Sequence, residues 1–368
     1  MKVLMTADAV GGVWTYALDL AAALAPHDAQ VTLAVMGPPP SPAQRAAAAT
    51  VPNVALLEGD YRLEWMDDPW DDVARAGAWL LRLEEELRPD VVHVNGYAHG
   101  ALPWRAPALV AAHSCVLSWW QAVKGEPAPP SWARYQREVM RGLAGVSLLV
   151  APTRAMLADV EAHYGPGAAV ANGMVVPNGR RADRYRPGPK EPFVLSAGRI
   201  WDEAKNVATL ARAAGRLPWP VYVAGDGTSP DGSTVGGAVL DTVRSLGRLS
   251  DSAMADWLGR AEIFALPARY EPFGLSALEA ALAGCALVLG DIPSLREVWG
   301  DAATFVPPND ADALAAAITA LAASPAHRGK MAGRARARAL AYTPERMAAG
   351  YLAAYARATA AARPLVPA

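Results

Sequence analysis

The feature that most constrains this chain is an alternation that runs through it twice. Short apolar runs are each followed by a glycine or polar turn and then by a helical pattern. The first series opens with VLMTA (3–7), the turn Gly11-Gly12, the helical pattern WTYALDLAAALA (14–25) and a second run, QVTLAVM (30–36). A strand–turn–helix–strand order is a βαβ unit, and such a unit requires parallel pairing with helices on the sheet faces. Runs at 90–94, 108–112, 147–151 and 174–177 continue the sheet, with a helical pattern over 71–87. The apolar stretch 139–151 is too short for a membrane and reads as a helix end feeding a buried strand. The stretch NGRRADRYRPGPKEP (178–192) reads as a linker. The pattern then restarts, with strands expected at 193–197, 220–224, 262–266, 286–289 and 303–306. Helices are expected at 203–216, 251–260, 275–283, 310–322 and 344–362, the last beginning with Thr343 as N-cap and Pro344 at the first helical position. The expected fold class is α/β, with two Rossmann-like domains of parallel strands over 1–180 and 181–343 and a terminal helical segment 344–368. The halves share a pattern but no sequence repeat.

Composition narrows the function classes. A chain of 368 residues with 52% hydrophobic residues supplies cores for two domains and is no disordered polymer. Lys+Arg is 34 against Asp+Glu 36, so the strong basic field that a nucleic-acid backbone requires is missing. Two cysteines, Cys115 and Cys285, make neither a disulfide framework nor a zinc set. No run of 18 apolar residues exists, and MKVLMTADAVGG lacks the features of a signal peptide. The expectation is a cytoplasmic protein with no transmembrane segment, peripheral membrane contact at most, and no nucleic-acid partner. The alanine-rich AAYARATAA reads as part of a surface-packed helix.

Ligands of parallel sheets bind outside the carboxyl ends of the strands. The expected strands are followed by Gly11-Gly12, Asn95-Gly96-Tyr97, His113-Ser114, Asn178-Gly179, Gly198-Arg199, Gly225-Asp226-Gly227, Arg269-Tyr270-Glu271 and Asp291. Two sheets with these edges facing each other enclose one cleft, a common ligand location.

The segment ARYEPFGLSALEAALAG (268–284) carries the most chemistry. Glu271 lies in a loop before a helix, Pro272 fixes the chain, and Gly274 permits close backbone approach. With a helix starting near Leu275, the amides of Phe273, Gly274 and Leu275 are expected to point outward as an anion site. Glu279 lies eight residues after Glu271 with a loop between, a spacing that suits opposite ends of one elongated ligand rather than a carboxylate dyad. Taken alone, Glu271 also fits a helix N-terminal charge and Glu279 a solvated helix face.

This string resembles the signature of retaining GT-B glycosyltransferases, most closely glycosyltransferase family 4. The resemblance extends to the turn at 11–12, PNG (177–179), AGRIWDEAKN (197–206), AGDG (224–227) and DIPSLREVWGDAATFVPPND (291–310). It implies a nucleotide-diphosphate-sugar donor, a hydroxyl acceptor on a glycan, lipid or small metabolite, and a C-terminal helix that crosses back to the N-terminal domain. As the glycosidic bond breaks, the leaving diphosphate gains negative charge that a metal or fixed cations must stabilise. No convincing metal site is visible, since Asp310-Ala311-Asp312 reads as a helix start; no metal or other cofactor is expected. Lysine occurs only at 2, 124, 190, 205 and 330. The resemblance implies that Arg199 and Lys205 clamp the diphosphate. It further implies that Glu279 accepts from the ribose, and that Glu271 and the Phe273–Leu275 amides hold the sugar. By the same resemblance Gly11 and Gly12 lie near the donor phosphate and the acceptor and His113 against the donor sugar, with Arg248-Leu249 as the nucleobase wall. Asn95, Tyr97, Trp119 and Trp120 are the acceptor-side candidates. His93 is expected to be structural. The segment 227–237 is longer than the family pattern suggests. Rival readings are a nucleotide-sugar epimerase, a glycan phosphorylase, for which none of the lysines is an obvious pyridoxal phosphate site, and a non-catalytic sugar-nucleotide binding module.

Overall fold

The computed structural model describes residues 1–229, 232 and 241–362. Strands fall into two parallel sheets. The first holds β1 (Lys2–Asp8), β2 (Gln30–Met36), β3 (Val54–Glu58), β4 (Val91–Val94), β5 (Ala108–Ala111), β6 (Leu148–Ala151) and β7 (Met174–Val175), in the order β3-β2-β1-β4-β5-β6-β7. The second holds β8 (Glu191–Ala197), β9 (Val221–Ala224), β10 (Arg244–Gly247), β11 (Ala261–Leu266), β12 (Ala286–Gly290) and β13 (Thr304–Val306), in the order β10-β9-β8-β11-β12-β13. Central strands such as β4, β6 and β12 are buried along their length. Helices cover both faces of such sheets, so the strands read as continuous apolar runs rather than alternating ones. In each sheet the order reverses once, at β1/β4 and at β8/β11. Those switch points are where a doubly wound sheet opens a crevice at its carboxyl edge.

Two strands escaped the sequence reading. β3 is half-buried at one edge of its sheet, and β10, with the sequence RSLG, is mostly exposed at the edge of the other. Edge strands with few buried side chains carry little apolar signature. The helix Pro325–Ala339 was also unexpected, because its exposed basic residues mask the periodicity. Its arginines reach the carbonyl ends of neighbouring helices: Arg328 to Leu321 and Ala322, Arg336 to Leu282, and Arg338 to Val298 and Glu297. These are the acceptors a helix C-terminus leaves without an internal partner.

The chain forms two compact units. One comprises Met1–Gln121, Glu126–Gly179 and the helix Pro344–Ala362; the other comprises Ala122–Gly125 and Arg180–Thr343. The stretch 178–192 is not the loose linker its composition suggested. Asn178, Arg180 and Tyr185 are buried, Arg180 N donates to Tyr342 O at 3.0 Å, and β8 begins already at Glu191.

The alanine-rich helix Pro344–Ala362 packs on the first unit. Met347, Tyr351, Ala354, Tyr355 and Ala358 recur at the helical period and are all buried in the core that also holds Tyr16, Leu20 and Leu24 of the helix Gly12–Leu24. Full burial of a large apolar side chain contributes about 1.5–3 kcal/mol, so the two tyrosines make this helix an integral layer. Among the described residues no helix is long and apolar enough to cross a membrane.

His93, in β4, lies within this core. Its Nδ1 is 2.8 Å from Tyr355 Oη and its Nε2 is 3.2 Å from Tyr16 Oη. Burial lowers its pKa from the ordinary 6.5 to about 3, and that of His113 to about 4. Both rings are therefore neutral in the fold and protonate below pH 6.5 once the chain unfolds. The unfolded state binds more protons through the window from 6.5 down to about 3, so stability falls as pH is lowered through it. Chemical denaturation is expected to show an earlier midpoint at about pH 5 than at about pH 7.5, and substituting His93→Phe should flatten the difference. A midpoint that rises on acidification would contradict neutral burial of these rings.

Candidate functional site

The carboxyl edge of the second sheet is built by close backbone approach. Gly198 N, after β8, donates to Ala224 O at 3.0 Å. A Cβ added to Gly225 (φ +145°) would stand 1.8 Å from Gly198 O, so only glycine fits there. That contact launches the loop Arg199–Asn206 from the switch point. Arg199 donates to Asp202 at 2.7 Å and its guanidinium lies 5.3 Å from the ring centroid of Trp201. Asp202 in turn accepts from Ala204 N at 3.0 Å.

The continuous helix expected over 203–216 is broken. A 3-10 turn covers Glu203–Lys205, and the helix runs Val207–Ala214. Between them Asn206 adopts a left-handed conformation (φ +57°), which asparagine tolerates because its side chain makes local polar contacts. Its Nδ2 donates to Pro267 O at 2.9 Å and to Pro308 O at 2.6 Å. Arg269 N donates to Ala204 O at 2.8 Å. These bonds tie the loop after β8 to the loop after β11 and set the position of Lys205.

Lys205 Nζ is 2.6 Å from Glu271 Oε2, and both side chains are only 14% exposed. The other carboxylate oxygen of Glu271 accepts from Gly274 N at 2.9 Å. This corrects the expectation of outward-pointing amides: the Gly274 amide is taken by Glu271, and Phe273 N points the same way at 3.5 Å. Leu275 is the first residue of the following helix, with Gly274 left-handed (φ +90°) as its N-cap. The loop carrying Glu271 is fixed from behind by Ser294, whose Oγ donates to Glu271 O at 2.5 Å. Sequence reasoning assigned Ser294 nothing, although it lies in the 291–310 stretch that carries part of the resemblance.

Glu279 is not on a solvated face. Its carboxylate pairs with Arg180 at 2.8 Å, with side-chain exposures of 14% and 4%. Arg180 also donates to Tyr185 Oη and lies over its ring at 5.3 Å. Arg180 was missed because it was counted with the supposed linker. Its signal is the PNG turn just before it, which places it five residues beyond the end of β7.

On the first unit, Gly11 and Gly12 stand at the start of the helix Gly12–Leu24, after β1. His113, after β5, has its Nε2 2.8 Å from Asn95 Oδ1 and its ring 4.4 Å from that of Tyr16. Asn95 is held by Thr6: its N donates to Thr6 Oγ1 at 2.8 Å and its Nδ2 to Thr6 O at 2.7 Å. So the Asn95 side chain, an acceptor-side candidate, serves Thr6 and His113 and also meets His93. Tyr97 is buried, and its hydroxyl donates to Ser114 O at 3.0 Å, which places it in the packing of the loop rather than at an open surface. Trp119 and Trp120 are half-buried, in an edge-to-face pair 5.8 Å apart on the helix Val116–Lys124.

Sequence reasoning also missed Glu64, whose carboxylate accepts from Tyr97 N at 3.0 Å and Ala98 N at 2.7 Å and whose pKa burial raises. The His99 ring is turned away from the strand edge: its Nε2 is bonded to Val73 O at 3.0 Å, and its backbone oxygen accepts from Trp104 Nε1 at 2.9 Å. Arg248 is exposed and Leu249 half-buried, between β10 and the helix Asp251–Arg260. Of the segment 227–237, residues 230, 231 and 233–237 lie outside the described residues. Among the described residues no group of three or more His, Cys, Asp or Glu side chains is arranged to hold a metal ion. Asp310 caps the helix Ala311–Ala323 by accepting from Asp312 N and Ala313 N at 3.0 and 2.8 Å.

Residues 10–184 match the family description "Glycosyltransferase Family 4", and residues 191–324 match "Glycosyl transferases group 1". The chain is 31% identical over 320 residues to a glycogen synthase of Mycobacterium tuberculosis, a match covering 79% of this chain and 74% of that protein. It is 28% identical over 395 residues to a D-inositol 3-phosphate glycosyltransferase of Xylanimonas cellulosilytica, covering 96% and 93% of the two chains. Among solved structures, sucrose-phosphate synthase from Thermosynechococcus elongatus superposes with a TM-score of 0.80 at 19% identity, over 98% of this chain and 100% of that one. Anabaena HepE in complex with UDP-glucose does so with a TM-score of 0.75 at 16% identity, over 97% and 100%. These two likenesses bear on the fold. With two parallel Rossmann-like sheets and family matches along both halves, the chain belongs to glycosyltransferase family 4 and is a glycosyltransferase of the GT-B fold.

Proposed function

We propose that this glycosyltransferase moves a sugar from a nucleoside-diphosphate-sugar to a hydroxyl acceptor with retention of anomeric configuration, and that fixed cations stabilise the leaving diphosphate without a metal. The observation that carries the reading is the Lys205–Glu271 pair at 2.6 Å. It joins a cation from the loop after β8 to a carboxylate from the loop after β11 at the switch point of one sheet. A solved relative in fold, Anabaena HepE, has UDP-glucose bound, which supports a nucleotide sugar as the donor class.

In this reading Lys205 and Arg199 meet the diphosphate oxygens, where charge grows as the bond to the anomeric carbon breaks. A preorganised cation costs no reorganisation at that moment. Glu271 then turns from Lys205 and Gly274 N toward sugar hydroxyls, and Glu279 toward the ribose. Arg248 and Leu249 border the base. Gly11, Gly12 and His113 are the remaining donor contacts of this reading, and Trp119 and Trp120 offer rings on which an acceptor can stack. With Glu271 committed to sugar binding, retention follows most economically from front-face return, in which the departing phosphate takes the acceptor proton on the side it leaves from.

Lys205→Ala is expected to lower donor turnover by about 10²-fold or more, because it removes a charge that acts in the transition state. Glu271→Gln should lower turnover with little change in the affinity for free nucleoside diphosphate, measured by calorimetry alongside the kinetics. Full transfer rate in either variant would overturn this assignment. Glu279→Gln should weaken nucleotide binding about tenfold, the loss of one charged hydrogen bond. Glu279→Ala should in addition lower stability by about 3–5 kcal/mol, because it strands the buried Arg180. Unchanged nucleotide affinity in Glu279→Gln would remove Glu279 from the donor site. A chelator such as EDTA, added after extensive dialysis, is expected to leave the rate unchanged; loss of rate restored by a divalent cation would refute the metal-independent reading.

A further inference from the structure

The proton on His113 can be placed from the atoms around it. The amide of Asn95 has one donor end and one acceptor end. One end lies 2.7 Å from Thr6 O, a carbonyl that only accepts, so that end is the NH₂ group. The end facing His113 Nε2 at 2.8 Å is therefore the carbonyl oxygen. The backbone of the same residue is anchored too, since Asn95 N donates to Thr6 Oγ1 at 2.8 Å. An oxygen that only accepts requires a donor opposite it, so His113 Nε2 carries hydrogen. A neutral imidazole has one N–H, and Nδ1 is then a bare acceptor.

The ring is held against rotation as well. Tyr16 packs on it with centroids 4.4 Å apart at 60°. The Tyr16 hydroxyl is itself bonded to His93 Nε2 at 3.2 Å, and His93 Nδ1 to Tyr355 Oη at 2.8 Å. The contact thus runs from the C-terminal helix through two buried rings to the edge of the sheet.

We infer that Asn95 is a positioning residue that locks His113 as the Nε2–H tautomer, so that Nδ1 presents a hydrogen-bond acceptor to a hydroxyl of the transferred sugar. The sugar part rests on the proposed donor; the tautomer does not. A group that meets Nδ1 must donate, which fits a sugar hydroxyl and disfavours a phosphate oxygen. His113 is therefore suited to reading a sugar hydroxyl rather than the diphosphate.

The test is a two-bond ¹H–¹⁵N correlation spectrum of the full chain labelled with ¹⁵N-histidine, recorded near pH 7.5, with His113 assigned by the signal lost in His113→Gln. The expected pattern is that of a neutral ring protonated at Nε2. A ring protonated at Nδ1, or an imidazolium, would overturn the inference. Asn95→Leu should admit the other tautomer and lower kcat/KM for the nucleotide sugar about tenfold, with the affinity for free nucleoside diphosphate changed less than about twofold. Asn95→Ala, which removes the acceptor opposite Nε2 without adding bulk, should likewise admit the other tautomer, and it serves as the test should Asn95→Leu fail to fold. An Asn95→Leu protein whose His113 remains purely Nε2–H would show that Asn95 does not set the tautomer. The expected tautomer in a protein that turns over no nucleotide sugar would uphold the positioning role and refute the donor reading instead.

Discussion

The ion pair between Lys205 and Glu271 is the constraint around which the second unit is organised. The two side chains come from different strands, and a 2.6 Å contact between them requires two loops to be held to a few tenths of an ångström. The structure meets this with backbone rather than side-chain contacts where it can. Gly225 lets the ends of β8 and β9 touch, Arg269 N reaches Ala204 O, and Asn206 bridges to Pro267 and Pro308. Ser294 closes the ring from the segment after β12. Each of these bonds is worth about 0.5–1.5 kcal/mol on its own. Their value is that together they leave Lys205 and Glu271 no alternative arrangement without breaking several at once.

The first unit depends on a different device. Its C-terminal helix contributes Tyr351 and Tyr355 to a core that contains His93, Tyr16 and, at the margin, His113. A polar group in such a place is costly unless bonded. His93 has a hydroxyl partner on each ring nitrogen, which satisfies the imidazole without charging it. The same helix begins immediately after the second unit ends, at Pro344. The helix Pro344–Ala362 thus completes the core of the first unit.

Much of this was legible in the sequence, and the parts that were not share a cause. The strand QVTLAVM was expected at 30–36 and is β2, Gln30–Met36, because a strand buried on both faces announces itself as an apolar run. The helices at 251–260 and 344–362 carry capping residues or proline at their starts and were placed to the residue. β3 and β10 were missed because edge strands need little apolar surface. The helix over 203–216 was drawn too long because one asparagine in a left-handed conformation leaves no mark on hydrophobic periodicity. The position of Arg180 was misjudged for a deeper reason: a run of arginines and prolines has the composition of a linker, and only its tertiary partners, Glu279 and Tyr185, make it core. Lys205 and Glu271 were named from sequence through the resemblance. That they touch each other, and that Glu271 takes the Gly274 amide, depends on the tertiary placement of two loops and leaves no mark in the sequence.

The pairing of three cations in the second unit, Arg180, Arg199 and Lys205, bears on selectivity. Arg199 is bonded to Asp202 at 2.7 Å, Lys205 to Glu271 at 2.6 Å and Arg180 to Glu279 at 2.8 Å. Partly buried charges left without partners would each cost several kcal/mol, so the pairs hold the cations in place while the fold stays stable. The same pairing sets a threshold for ligands. An anion that draws Lys205 away from Glu271 leaves a carboxylate needing new donors, and inorganic phosphate in neutral solution carries fewer of these than a sugar does. A nucleotide sugar brings both kinds of group: phosphate oxygens for the cations, and sugar and ribose hydroxyls for the carboxylates they release. Under the proposed function, exchange of internal ion pairs for ligand contacts therefore favours the complete donor over its fragments, and the preference originates in the carboxylates as much as in the cations.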